Sequence, residues 1–90
     1  MSSAYLAAAG YEAQLREELG DGVSAAHGRL LLSDAPARAA AWAANIWRDP
    51  QRIAIASIGD ASQKLRAIQR NWALYTEGPA GRAKLIAERL

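Results

Sequence analysis

Several things are missing from this 90-residue chain, and each absence removes a class of function. There is no cysteine, so disulfide scaffolding, thiolate nucleophiles and cysteine metal sites are excluded. A single histidine, His27, rules out a histidine-rich metal site within the chain. Phenylalanine is absent, so the large apolar side chains are leucines, isoleucines and three tryptophans. No apolar run is long enough to cross a membrane. The opening "MSSAYLAAAGYEAQ" has no basic leader and meets Glu12 early, which argues against a signal peptide. With no cysteine and no leader, the expected location is the cytoplasm.

What remains is globular in composition, with 51% hydrophobic and 22% charged residues. Alanine supplies much of the hydrophobic share, and a chain of this length buries only roughly two-thirds of its unfolded surface. One modest core is therefore the ceiling. Charge is uneven. Residues 1–47 set Arg16, Arg29 and Arg38 against five carboxylates. Residues 48–90 set eight bases against Asp49, Asp60, Glu77 and Glu88, and the whole chain carries +2. A basic second half permits a polyanion partner without requiring one.

The pattern along the chain predicts an α+β fold. "AYLAAAG" (4–10) reads as a buried strand. Tyr11, Leu15 and Leu19 make one face of a helix that stops at Gly20. "VSAA" and "RLLLS" flank His27-Gly28 as a hairpin. "PARAAAWAANIW" reads as a second helix, capped by Ser33 or Asp34 and ended by "RDP". "RIAIASI" alternates as a strand. These six elements predict a ferredoxin-like βαββαβ domain over 1–58, with a four-stranded antiparallel sheet. Over 59–90 the prediction is a helical extension of one or two C-terminal helices. Asp60 and Gln63 resemble a capping box, and Ala61, Leu65, Ile68, Trp72 and Tyr75 form a stripe at helical spacing. Leu85, Ile86 and Leu90 suggest a last helix whose apolar pattern is unfinished, as in a longer parent chain.

No catalytic set is visible. His27 stands alone in an expected turn, and Glu17 and Glu18 diverge by about 100° on a helix, too far apart to share a proton. The candidate binding residues are Lys64, Arg66, Gln69, Arg70 and Asn71. Arg66 and Arg70, one helical turn apart, suit successive phosphates, and Gln69 and Asn71 add hydrogen-bonding groups. The same bases equally suit the solvated back of a packed helix. Trp42 and Trp72 fall on apolar stripes and are expected in the core; Trp47 is left open.

"YLAAAGYEAQLREELG", with Gly10, Tyr11 and Glu12 at the start of its helix, resembles the opening of bacterial 23S rRNA ribose 2′-O-methyltransferases of the RlmM type. "NIWRDPQRIAIASIGDASQKLRAIQRNWALY" is similar to a run in RlmM-like, FtsJ-type methyltransferases. The resemblance implies a ferredoxin-like N-terminal domain beside a THUMP-type RNA-binding region. The methyltransferase domain that binds S-adenosylmethionine and carries the catalytic residues would come later in a parent chain. It therefore implies no catalytic or cofactor-binding residue here. The expected partners are RNA, most naturally rRNA, and the C-terminal domains of the same chain. The rival expectation is a non-enzymatic protein-interaction or dimerisation module, in which the Leu65–Tyr75 stripe and the 80–90 segment dock a partner or a second copy.

Overall fold

The computed structural model describes residues 2–67, 71–77 and 81–88. The chain begins with strand β1 (Ser3–Ala7), helix α1 (Glu12–Leu19), strand β2 (Val23–His27) and strand β3 (Leu30–Ser33). An irregular segment leads to β4 (Ala43–Arg48), and then come β5 (Gln51–Ala54), α2 (Ile58–Ala67), β6 (Trp72–Glu77) and β7 (Arg82–Ala87). Strands β1–β4 form an antiparallel sheet in the order β2-β3-β1-β4, and β5–β7 form a second sheet in the order β5-β7-β6.

The two halves follow one plan. In each, a strand leads through a helix to a hairpin, and the hairpin's second strand inserts between the other two. Both hairpins enter that central strand through a Gly-Arg pair, Gly28-Arg29 and Gly81-Arg82, with φ of +60° and +62° at the glycines. Only glycine takes that geometry without strain. In both helices a leucine followed by arginine faces the sheet, Leu15-Arg16 and Leu65-Arg66.

Alternation along the strands builds four layers. Ala4, Leu30, Leu32 and Trp47 of the first sheet meet Tyr75 and Ile86 of the second in a core between the sheets. The outer face of the first sheet, with Tyr5, Ala7 and Leu31, is covered by Leu15 and Leu19 of α1. The outer face of the second, with Leu85, Ala87 and Ile53, is covered by Leu65 of α2. Both central strands, β3 and β7, are thus apolar on both faces, as strands covered on both sides must be.

This overturns the ferredoxin-like βαββαβ expectation. The α+β class and the four-stranded antiparallel sheet stand, but the second helix expected in "PARAAAWAANIW" is absent. Alanine gives that segment helix propensity but little apolar surface to bury, and packing decides most helices. As a strand, Ala43–Arg48 pairs with the open edge of β1, sends Ile46 to one face and Trp47 to the other, and buries Trp47 to 1% exposure. The strand expected over "RIAIASI" is β5, and it belongs to the second sheet.

The C-terminal helices are also corrected. The chain does not end in helices, because β6 and β7 occupy that stretch. Leu85 and Ile86 point to opposite faces of β7, an arrangement that helical spacing cannot distinguish over so short a run. Asn71, with φ +34°, turns the chain into β6; asparagine tolerates this left-handed conformation better than most residues. The cap of α2 also sits three residues earlier than expected. Ser57 Oγ accepts the Asp60 N–H at 3.1 Å, and Asp60 Oδ2 accepts the Ala56 N–H at 3.0 Å.

Two carboxylates tie this fold to pH. The Ala56 N–H first, and then Lys64, hold Asp60 below its ordinary value of 3.8. Hydrogen bonding from Lys84, 3.0 Å away, holds Glu77 below its ordinary value of 4.5. A depressed folded value means stability that is present above the ordinary value and lost as pH falls through the folded one. Denaturant melts should therefore show stability level from neutral pH to about pH 5 and falling below it. In the Asp60→Asn, Glu77→Gln double variant the baseline should be lower and the acid decline shallower.

Candidate nucleic-acid interface

Of the expected RNA-binding residues, the structure describes Lys64, Arg66 and Asn71, and their surroundings differ. Lys64 is engaged: its Nζ donates to Ala54 O at 2.7 Å and to Asp60 Oδ2 at 3.0 Å. Asn71 is a joint between the sheets. Its carbonyl accepts the Trp47 indole N–H at 2.8 Å and the Glu88 N–H at 3.1 Å, and its side chain accepts from Asn45 Nδ2. Arg66 is exposed on α2 with no side-chain partner among the described residues. Gln69 and Arg70 lie outside the described residues. Of the five, Arg66 alone is shown available to a phosphate.

Further arginines lie outside the 64–71 stretch. Arg16, Arg48 and Arg82 are exposed and, like Arg66, have no side-chain partner among the described residues. Arg29 and Arg38 are spoken for: Arg29 donates twice to Ala7 O, at 2.9 and 2.8 Å, and Arg38 donates to Glu18 O.

Two of the three tryptophans are not where they were expected. Trp47 is the buried one. Trp42 and Trp72, expected in the core, are 40% and 44% exposed. Trp42 stacks on Tyr11 with ring centroids 4.7 Å apart, an aromatic pair at the surface beside the start of α1. Glu18 holds that pair in place, since its carboxylate accepts the N–H groups of Ala41 and Trp42 at 2.8 and 3.2 Å. The sequence signal was the 3.6-residue period itself: on a strand or an irregular segment the same spacing no longer selects a buried face.

His27 ends β2 with its ring 5.5 Å from Tyr75 and its Nε2 buried, 4.0 Å from Glu77 Oε1 and without a hydrogen bond. Burial, followed by the Glu77 charge, raises the Tyr75 phenol above its ordinary value. This cluster bridges the sheets. No group of His, Asp and Glu that could hold a metal ion occurs among the described residues. No helix among them is long and apolar enough to cross a membrane.

At the two strand-to-helix junctions, Ala8 N–H bonds Trp42 O, Tyr11 N–H bonds Ala8 O, and Asp60 takes the Ala56 amide. No family model, curated protein or solved structure matches this chain.

Proposed function

We propose that this chain is an accessory, non-catalytic module that positions RNA for an RNA ribose 2′-O-methyltransferase, with rRNA as the natural substrate class. The reading rests on the unpartnered surface arginines, Arg16 and Arg48 in the first half and Arg66 and Arg82 in the second, and on the exposed Tyr11–Trp42 stack. Guanidinium groups bind phosphate oxygens and aromatic faces stack on unpaired bases, the two interactions from which RNA recognition is largely built. The resemblance of the 45–75 run to RlmM-like enzymes supports the choice of RNA over other polyanions. In this reading S-adenosylmethionine and the methyl transfer belong to a later domain of a parent chain.

Binding through scattered phosphates is weak, poor in sequence preference and steeply salt-dependent. Fluorescence anisotropy with a structured rRNA fragment, titrated across salt concentrations, should show affinity falling with a slope of about 0.7–0.9 per phosphate neutralised. Arg66→Ala combined with Arg70→Ala should weaken binding and reduce that slope by about one for each arginine that pairs with a phosphate. Trp42→Ala should weaken binding to single-stranded RNA while leaving the salt slope intact. Absence of any binding at low salt would end the RNA reading.

A second reading, the protein-interaction module, is favoured by one specific feature, the exposed outer side of β6.

A further inference from the structure

A strand at a sheet edge presents unpaired N–H and C=O groups, and proteins usually guard them. Three of the four edges here are guarded. On β5, the Ala54 carbonyl accepts from Lys64, and the adjoining Ala56 amide is taken by Asp60. On β4, Asn45 Oδ1 accepts the N–H of Ile46 at 2.9 Å. On β2, the pairing with β3 is broken by a bulge between Val23 and Ala25.

The fourth edge, β6, has no such device among the described residues. Glu88 N–H bonds Asn71 O, and the register runs from Trp72 opposite Ala87 to Glu77 opposite Arg82. Antiparallel bonding alternates, so Ala73, Tyr75 and Glu77 bond to β7 while Trp72, Leu74 and Thr76 turn their backbone groups outward. The side chains of these same three residues lie on the outer face of the sheet, with Trp72 44% and Leu74 52% exposed. The only charge on the strand, Glu77, is already paired with Lys84.

We infer that β6 is a dimerisation edge, pairing antiparallel with β6 of a second copy about a twofold axis at Leu74. The strand is self-complementary in that register. Leu74 faces its own counterpart, and Trp72 and Thr76 face each other across the axis, so every outward N–H and C=O meets a partner. Glu77 falls opposite Asn71, so no like charges are opposed. Ala73 opposes Tyr75 on the inner face, and the exposed Leu74 and Trp72 side chains cover one another on the outer face. An apolar hollow of about 280 Å³, lined by Ile55, Ala61, Leu74 and Ala83, adjoins the seam on that face. The second sheets of two copies thereby become one continuous sheet, and the occupant is a second copy because the strand matches itself in pattern and charge. This inference stands apart from the RNA reading: neither requires the other.

Sedimentation velocity over a range of concentrations reads the assembly directly. The intact chain should pass from monomer to a species of twice its mass. Leu74→Lys and Leu74→Glu should each be monomeric with unchanged circular dichroism, because Leu74 is exposed and each variant opposes like charges at the axis. Mixing the two should restore the dimer, since opposite charges then meet. Should either charged variant fail to fold, Thr76→Pro, which removes only an outward N–H, decides the same question by giving a monomer. A chain that stays monomeric at hundreds of micromolar, a dimer indifferent to these substitutions, or a mixture that does not reassociate would each overturn the inference.

Discussion

Replacing Trp47 with alanine should destabilise the protein by about 3–5 kcal/mol, the usual cost of emptying a large aromatic site. Trp47 is 1% exposed, lies in the core between the sheets, and donates its indole N–H to the Asn71 carbonyl at 2.8 Å. Among the described residues, no other core side chain joins apolar packing and a hydrogen bond across the two sheets in this way. A single domain has a total stability of only about 5–15 kcal/mol, so this loss removes a large share of it. Trp47→Phe keeps most of the volume and loses the hydrogen bond. Asn71 O still receives Glu88 N–H, so that variant should lose much less, about 1–2 kcal/mol. Urea melts on both variants read the difference. Equal losses would show that the hydrogen bond, and not the packed indole, joins the sheets.

The second large effect concerns the helices. Leu15 of α1 is completely buried against Tyr5, Ala7 and Leu31, and Leu15→Ala should cost about 2–5 kcal/mol. Leu65 occupies the corresponding place in α2 but is only half-buried against Leu85 and Ala87. Leu65→Ala should therefore cost clearly less, and part of its loss is returned by alanine's higher helix propensity. The comparison, read from thermal melts, tests whether the two halves are equally well packed. Similar losses would contradict the uneven burial of the two helices.

The first half of the fold was legible because its signals were local. Leu15 and Leu19 sit at helical spacing, Gly20 stops the helix with φ +66°, and a two-residue turn joins the hairpin, at Gly28-Arg29, one residue later than the expected His27-Gly28. Those features depend on near neighbours and on backbone sterics. The fourth strand was not legible. Ala43–Arg48 has strong helix formers and becomes a strand only because the edge of β1, some forty residues earlier, pairs with it.

The second half failed for a related reason. Leu65, Trp72 and Tyr75 keep helical spacing across what is in fact a helix, a turn at Asn71 and a strand. Apolar residues three and four apart fit both readings when a turn falls between them. The strongest clue was the recurrence of Gly-Arg before an apolar run, "HGRLLL" and "AGRAKLI". It stands at the entry to the central strand of both hairpins and, matched between halves, points to β7 in place of a helix.

The candidate site followed the same logic. Lys64, Arg66 and Asn71 were grouped by a helical wheel. The wheel fails at Asn71, which lies beyond α2, and it could not anticipate that Lys64 closes the edge of β5. The exposed aromatic pair Tyr11–Trp42 was hidden because its members are thirty-one positions apart, brought together by Glu18 gripping the chain before β4.

The two sheets are joined through Trp47 and Asn71, which leaves Trp42 and Trp72 at the surface. Hydrogen exchange at the three indole N–H groups, followed by nuclear magnetic resonance, tests it most directly. The Trp47 indole, buried and bonded to Asn71 O, should exchange slowly, while those of Trp42 and Trp72 exchange promptly. A prompt Trp47 indole, or a Trp72 indole protected in the monomer, would contradict it.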